Sequence, residues 1–319
     1  MVAGRPVAAP APCFAYSTLG ALVHSEFELP ELTAATAGAG PPSIAIHRGK
    51  VMPGEGTPAG DEETPAYIVG DDRFFLERDG VGRFEVAGGR TVTVDVYAAA
   101  ADVDVRVYLL GSVLGALCHQ RGLLPLHAGA VGHSGKAFAF AGRSGTGKST
   151  ISAGLSDRGF SFVADDVCPI ALDPTEGPRV LENVRKVKLA ADALDAFGQA
   201  ADDRLRDHQD APRYHVPASG PTPPFPMTLA GIYMFRRTEH APGKPRIETI
   251  APAYAIPCIQ RLTYMPRYPA AAGCAGRHFR QCASIATKVP LFEVYYRPGL
   301  EHLDTLLAGL AEHMRGEAS

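Results

Sequence analysis

The stretch of sequence that decides the fold runs Lys136-Ala-Phe-Ala-Phe-Ala-Gly142-Arg-Ser-Gly-Thr-Gly-Lys148-Ser-Thr150. The apolar run Ala137–Phe140 predicts a strand and Ile151–Leu155 predicts a helix, so the glycines stand in the loop between them. The loop fits G-x-x-x-x-G-K-[ST], in which successive backbone N–H groups point at phosphate oxygens and lead into a helix N-terminus that favours an anion. The residues that this motif places against a bound nucleotide are Gly142, Arg143, Ser144, Gly145, Thr146, Gly147, Lys148, Ser149 and Thr150.

Two side chains of this loop have separate chemical jobs. In the motif, Lys148 supplies a positive charge to the β- and γ-phosphates, and the Ser149 hydroxyl coordinates Mg²⁺. The sequence therefore predicts a site for a nucleoside triphosphate with its magnesium ion, and Lys148 as a candidate catalytic group.

A pair of adjacent aspartates follows the next predicted strand, Ser161–Ala164. A carboxylate at the end of the strand beside a phosphate loop is the usual second metal anchor. Because side chains alternate along a strand, Asp165 and Asp166 are expected to point in different directions, one toward Mg²⁺ and the other toward an incoming hydroxyl as its base. We expect Ser149 and Asp166 at the metal, although the residues alone leave open which aspartate is the base. One metal ligand and one turn cap is the alternative.

Composition excludes several classes of protein. The 34 glycines and 27 prolines of the 319 residues disfavour a helical bundle, and 46% apolar content suffices for a core. The formal net charge is −3 without a basic block, so no nucleic-acid partner is expected. Six cysteines without a CxxC pair indicate reduced thiols.

The longest nearly apolar run, Val107–Cys118, is too short for a bilayer, which needs about 20 residues. The Gly111-x-x-x-Gly115 spacing inside it favours close packing of a core helix. We therefore expect a soluble, cytoplasmic protein without a membrane partner.

The hydrophobic rhythm divides the chain near residue 123. Period-2 segments between 66 and 97, separated by Gly-rich turns, predict an antiparallel meander, and a helix is expected over 103–119. From 124 onward a strand–loop–helix–strand pattern predicts an α/β core. We thus expect an N-terminal, mostly antiparallel β domain over 1–123 and a nucleotide-binding domain over 124–319. Within the second, the polar, Pro-rich stretch 200–225 predicts a long surface loop.

Three pieces together carry a family resemblance: His127-Ala-Gly129, the loop Gly142–Thr150 and Val163-Ala-Asp-Asp166. In order and spacing they resemble the catalytic domain of the HPr kinase/phosphorylase family, whose P-loop core is related to that of phosphoenolpyruvate carboxykinases. The resemblance implies ATP- and Mg²⁺-dependent phosphorylation of a Ser or Thr hydroxyl on a protein or peptide. An aspartate of the pair would be the base, and His127 would position or tune it. Without the resemblance, a lone histidine is more often an ordinary core or loop residue.

The chain also departs from that family. The stretch Leu181–Leu189 lacks the Glu-Ile-Arg-Gly-Leu-Gly of the bacterial enzymes, so neither HPr as acceptor nor the reverse phosphorylase activity is carried over. The stretch Ser25–Leu32 resembles instead the smaller HPr-kinase-like proteins of peptide-modification clusters, including those that phosphorylate a C-terminal Ser of a lasso-peptide precursor. The implied partner is a precursor peptide or carrier protein, and the hexamers of the family imply a possible homo-oligomer.

Further basic residues are candidates for contact with the acceptor or the γ-phosphate. We name Arg185, Lys186 and Lys188 after the aspartates, and Arg213 in the Pro-rich stretch, whereas Arg236-Arg237 after a strand are interpreted as solvated. Two other functions stay open at this point, a small-molecule kinase and a non-catalytic ATP-binding regulator.

Overall fold

Two large β-sheets and one small one carry the chain. The computed structural model describes residues 13–36, 43–52, 56–59, 66–69, 72–142, 145–197, 203–205, 213–218, 223–239 and 243–318. Within these residues the sheets have nine, eight and three strands, and helices cover them, so the protein is a mixed α/β protein.

The first sheet lies in the N-terminal part of the chain, in the order β3-β1-β2-β4-β9-β8-β7-β6-β5. Its neighbours pair antiparallel, except that β4 runs parallel to both β2 and β9. The predicted, mostly antiparallel arrangement is confirmed. The strands are β1 (Phe14–Thr18), β2 (Ala21–Ser25), β3 (Thr33–Ala34), β4 (Ile44–Arg48), β5 (Thr57–Pro58), β6 (Ala66–Val69), β7 (Arg73–Arg78), β8 (Gly82–Ala87) and β9 (Thr91–Val96).

A helix packs on this sheet where the sequence predicts one. It comprises α1 (Asp102–Tyr108), a π-helical turn (Leu109–Val113) and α2 (Leu114–Gln120). Its apolar side chains share one buried cluster with those of the sheet. The π-helical turn is the feature that periodicity does not predict, and such turns are frequent at functional sites.

The remaining strands build the second sheet and a small third one, the latter from β15, β16 and β17. They are β10 (Leu124–His133), β11 (Lys136–Ala141), β12 (Ser161–Ala164), β13 (Val167–Asp173), β14 (Gly177–Val180), β15 (Lys186–Ala190), β16 (Asp203–Leu205), β17 (Arg213–Pro217), β18 (Met227–Arg237), β19 (Arg246–Thr249) and β20 (Leu291–Tyr296).

In the second sheet, β10 is the strand around which the site is organised. It pairs antiparallel with β11 on one side and with β12 and β13 on the other. Because β11 and β12 both run against β10, they are parallel to each other and end at the same edge. Further along the sheet, β18 runs parallel to β11, and β20 runs parallel to β18.

Helices cover both faces of the second sheet because β11 is apolar on both sides. Phe138 and Phe140 lie in a cluster with α3 and α8, whereas the alternate residues Ala137 and Ala139 lie in another with α5 and α7. The helices are α3 (Lys148–Ser156), α4 (Ala191–Phe197), α5 (Pro252–Leu262), α6 (Tyr268–Ala271), α7 (Ala275–Lys288) and α8 (Leu303–Ala318).

The predicted surface loop over 200–225 is wrong in its described part. β17 pairs there with β15 on one side and with β16 on the other. The buried residues Val187, Leu189 and Val216 hold this small sheet together with α4. Its strands are short and Pro flanks them, so the period-2 signal does not stand out. The rest of that stretch, 200–202, 206–212 and 219–222, lies outside the described residues.

The first sheet and the turns beside it contact the segment between β14 and β15 and the helix α6 directly. The Leu19 amide donates to the Glu182 carbonyl at 2.9 Å and the Arg185 amide donates to the Glu31 carbonyl at 2.7 Å. Val184 and Tyr268 belong to the buried cluster of the first sheet. Across the residues that the structure describes, no helix is long and apolar enough to cross a membrane.

Candidate active site

The glycine-rich loop connects the end of β11 to the start of α3. Gly145 and Gly147 have φ of +78° and +82°, a left-handed backbone that favours glycine, and Gly147 is the N-cap of α3. The Lys148 ammonium donates to the Gly142 carbonyl at 2.8 Å. Arg143 and Ser144 lie outside the described residues. The loop thus leads into α3 as the motif requires: Gly147 caps the helix, and Lys148, Ser149 and Thr150 form its first turn.

Residues from the neighbouring parallel strands brace this loop. The Tyr296 hydroxyl donates to the Thr146 carbonyl at 2.8 Å. The Arg237 guanidinium donates both to the Gly145 carbonyl and to the Tyr296 hydroxyl. Arg237 is exposed, as expected, and its side chain also contacts the loop, which the interpretation as a solvated residue did not include. A signal for this contact is present in the sequence pattern, since the carboxyl ends of parallel strands meet at one edge of a sheet.

Asp165 lies at the end of β12 and faces the start of α3. It is 6% exposed. Its Oδ1 accepts the Ser149 hydroxyl at 2.8 Å and its Oδ2 accepts the Lys188 amide at 2.9 Å. Burial raises the pKa of Asp165, and these hydrogen bonds oppose that effect. The carboxylate that meets Ser149 is therefore Asp165, whereas we expected Asp166 beside Ser149 at the metal.

Asp166 points away from Asp165 toward a different set of partners. Its Oδ1 lies 3.3 Å from His127 Nδ1 and its Oδ2 accepts the Lys188 ammonium at 3.3 Å. The backbone φ of Asp166 is +70°. The two carboxylates diverge because β12 has already ended at Ala164 and the chain turns through a left-handed residue, not because side chains alternate along a strand.

The electrostatic environment also separates the two aspartates. Burial raises the pKa of Asp166, but the Lys188 ammonium and His127 together lower it by more, to about 2. Asp166 is therefore a carboxylate at neutral pH. Neighbouring carboxyl groups whose pKa values are driven apart are typical of sites with divided acid–base roles.

His127 lies on β10 beside Asp166. Burial lowers its pKa, so its imidazole is neutral at pH 7. Its ring stacks on the Tyr264 ring with the centroids 5.8 Å apart. The nearby Tyr264 comes from the segment after α5, and neither it nor its contact with His127 was predicted, because nothing local in the sequence links residues so far apart.

The four predicted substrate residues have different positions. Lys188 contacts both aspartates, as described above. Lys186 lies on the same face of β15 as Lys188, because side chains alternate along a strand. The backbone amide of Arg185 donates to the Glu31 carbonyl in the N-terminal half. Arg213 begins β17, and its side chain lies outside what the structure describes.

A cleft of about 1250 Å³ opens beside the glycine-rich loop. Gly142 and Thr146 of the glycine-rich loop, His127 and Asp166 line one part of it. Other lining residues come from Arg236 and Arg237, from the segment 261–267, and from Ser112 in the π-helical turn. Drug-sized ligands occupy pockets of roughly 300–1,000 Å³, so this cleft has room for a nucleotide together with part of a second reactant.

The donor atoms beside the loop fit a magnesium ion. Ser149 and Asp165 offer a hydroxyl and a buried carboxylate, both hard oxygen ligands. In the described residues, no group of three or more His, Cys, Asp or Glu side chains forms a protein-only metal site. Protein sites commonly bind Mg²⁺ through one or two carboxylates together with substrate phosphates.

No protein-family model matches the chain, and no curated protein matches it. Among solved structures, the Hpr(Ser) kinase/phosphatase from Coxiella burnetii matches with 13% identity and a TM-score of 0.31, over 60% of this chain and 91% of the other. A TM-score this low assigns neither a fold nor an activity to the chain. Its function has to be inferred from the geometry of the site itself.

Proposed function

We propose that this protein is an ATP- and Mg²⁺-dependent kinase that transfers the γ-phosphoryl group to a Ser or Thr hydroxyl of a protein or peptide. In this reaction the acceptor oxygen forms a bond to the γ-phosphorus, the bond from that phosphorus to the β–γ bridging oxygen breaks, and ADP leaves. The hydroxyl proton passes to a carboxylate of the chain. One observation carries the proposal: two adjacent aspartates beside the glycine-rich loop face different partners.

The first aspartate supports a metal-binding role. Asp165 accepts the Ser149 hydroxyl at 2.8 Å, so these two oxygens would hold Mg²⁺ together. When bound, the ion neutralises the charge of the β- and γ-phosphates. Lys148 at the start of α3 would bind the same phosphates.

The second aspartate supports a role as base. Asp166 lines the cleft, is ionised, and is 30% exposed, so an acceptor hydroxyl can reach it. His127 and Lys188 each lie 3.3 Å from one of its oxygens and fix its orientation. We assign His127 and Lys188 as positioning residues and Asp166 as the residue that takes the proton.

A direct test uses Mg-ATP and a peptide ending in Ser, the acceptor that the sequence resemblance favours, with mass spectrometry as readout. We expect one phosphate, about 80 Da, on the hydroxyl. Asp166→Asn should suppress transfer by about 10²-fold or more while nucleotide affinity is kept, because a positioned base contributes about 10²–10⁴-fold. Asp165→Asn should weaken Mg²⁺-dependent nucleotide binding as well.

The outcomes separate the alternatives. Transfer that persists at the wild-type rate in Asp166→Asn would contradict the assignment of Asp166 as the base. Nucleotide binding without transfer to any acceptor would support a non-catalytic ATP-binding regulator. Transfer to a free small hydroxyl compound but to no peptide would support a small-molecule kinase.

A further inference from the structure

A second wall of the cleft has no part in the roles assigned so far. It is the segment 261–267, which joins the last turn of α5 to α6 and is called here the arginine wall. Arg261 and Arg267 stand at its two ends, and both side chains are exposed and line the cleft.

The charged groups of the cleft make it electropositive. The described lining holds four guanidinium groups and one carboxylate, that of Asp166. Two of the four lie at the end of β18: Arg237 contacts the glycine-rich loop, and Arg236 beside it forms an ion pair with Glu293 at 2.8 Å. The other two belong to the arginine wall. Positive charge therefore continues beyond the part of the cleft where the phosphates of ATP would lie.

The backbone of the arginine wall is held in place on several sides. The Tyr264 amide donates to the Pro125 carbonyl at 2.8 Å, and its own carbonyl contacts His119 Nε2 at 2.9 Å. Thr263 pairs with Leu126 in a β-bridge. Because this backbone is fixed before a ligand arrives, binding costs less ordering entropy than it would on a mobile loop.

Direct contacts connect the arginine wall to the proposed base. The Tyr264 ring stacks on His127, and His127 lies 3.3 Å from Asp166. An acceptor whose hydroxyl reaches Asp166 therefore has neighbouring groups within the same cleft as Arg261 and Arg267. A guanidinium presents paired donors that match the two oxygens of a carboxylate.

We propose that the arginine wall binds a carboxylate that the acceptor carries close to its reacting hydroxyl, so that Arg261 and Arg267 select acidic peptides. This inference rests on the proposed kinase function and names its substrate class. The carboxylate has two sources in a peptide: an Asp or Glu side chain beside the reacting Ser, or the free C-terminus of a peptide that ends in Ser.

The test uses three peptides that differ only in this carboxylate. The first ends in Ser with a free carboxylate and has neutral flanking residues, the second is its C-terminal amide, and the third is the amide with a Glu next to Ser. For each we would measure KM and kcat of transfer, and binding by fluorescence anisotropy with a non-hydrolysable ATP analogue. The variants are Arg261→Gln, Arg267→Gln and the charge-conserving Arg261→Lys, with Arg280→Gln on α7 as the matched control.

We expect at least one carboxylate-bearing peptide to have a KM about tenfold or more below that of the neutral amide, because a guanidinium and a carboxylate form paired, charge-assisted hydrogen bonds. Arg261→Gln and Arg267→Gln should each remove most of that difference at little change in kcat. Arg261→Lys should restore part of it, and Arg280→Gln should match the wild type. The preference should weaken as salt is added.

Each failure has its own signature. Transfer with equal KM for all three peptides, unchanged in the Gln variants, would overturn the arginine wall as an acceptor site while leaving the kinase function in place. Binding of acidic peptides that the Gln variants lose, without transfer, would support the arginine wall and contradict the kinase function. Neither binding nor transfer would overturn both.

Discussion

At the scale of single residues, Lys188 determines the state of the proposed base. Its amide binds Asp165 and its ammonium lies 3.3 Å from Asp166, so one residue touches both carboxylates. Burial alone would raise the pKa of Asp166, and the ammonium is the largest of the effects that lower it. A base with so low a pKa binds the proton less strongly, but it is ionised and able to accept one at every physiological pH.

Replacing Lys188 tests this arrangement. In Lys188→Met the ammonium is gone while burial remains, so the pKa of Asp166 should rise from about 2. The acid limb of kcat/KM should then move to higher pH, and at pH 5 the variant should lose a larger share of its maximal rate than the wild type. The measurement is the pH profile of kcat/KM, with the exposed Lys244→Met as control. Equal acid limbs in all three proteins would rule out this role of Lys188.

The same pKa has a consequence for stability. The pKa of an aspartate is ordinarily 3.8, and that of Asp166 in the folded protein is about 2. A carboxyl group whose pKa is lower in the folded than in the unfolded protein stabilises the fold at pH values above its unfolded-state pKa. This stabilisation is lost as the pH falls through the folded-state pKa. Asp166→Asn should therefore lower the free energy of unfolding by at most about 2 kcal/mol at pH 6. Asn also tolerates the left-handed backbone at this position.

Denaturant unfolding at pH 6 and pH 3 measures the difference in unfolding free energy between the wild type and Asp166→Asn. This difference should be smaller at pH 3, because the ionised Asp166 of the wild type is then being protonated and stabilises the fold less. A difference that stays the same at both pH values would mean that the ion pairs of Asp166 contribute nothing and that the variant acts through packing.

At the scale of elements, the helix of the N-terminal half reaches the active site through two glycines. A Cβ on Gly115 would lie 2.6 Å from Tyr264 Cδ1, and one on Gly111 would lie 3.4 Å from the Tyr264 hydroxyl. The Gly111-x-x-x-Gly115 spacing thus serves close packing in a core, as predicted. The partner is an aromatic ring that stacks on His127, and this could not be predicted, since the ring belongs to a distant segment.

Gly115→Ala should disturb catalysis from a distance. The added methyl cannot fit unless the Tyr264 ring moves, and that ring contacts His127. We expect kcat to fall by about 10–100-fold, because a displacement of about 1 Å can cost that much, while nucleotide affinity stays within about twofold. Steady-state kinetics and nucleotide titration measure the two effects.

The control is Gly276→Ala in α7, where the nearest atom to a new Cβ is Arg280 Nη1 at 3.7 Å. This substitution should leave kcat unchanged and slightly stabilise the helix, since Ala is favoured over Gly by about 1 kcal/mol in a helix interior. An unchanged kcat in Gly115→Ala as well would mean that Tyr264 does not position His127.

How far the sequence predicts the structure depends on whether the signal is local. The strands Lys136–Ala141 and Ser161–Ala164 occur where predicted, because their hydrophobic pattern lies within the segment. The glycine-rich loop is likewise a local motif. Tyr264 and the arginine wall come to the cleft through the docking of α5, which leaves no pattern in the sequence around these residues. The sequence therefore predicts the phosphate side of the site far better than the acceptor side.

At the scale of the whole molecule, the contacts across the expected boundary at 123 argue against two independent units. Tyr268, from the second half, is 2% exposed within the cluster of the first sheet. Its ring lies 6.0 Å from that of Phe74 and stacks on His119 at 4.4 Å. The Thr33 hydroxyl also donates to the Glu182 carboxylate, at 2.5 Å. The cleft takes lining residues from both halves, so both are needed to form it.

We therefore expect the full chain to unfold in one cooperative transition. Tyr268→Ala should lower the free energy of unfolding by about 3–5 kcal/mol, the usual cost of removing a large buried aromatic side chain, and should still give a single transition at a lower Tm. Differential scanning calorimetry checks this directly, and Tyr254→Ala is the control because the Tyr254 side chain is 68% exposed. Independent halves would instead give two transitions.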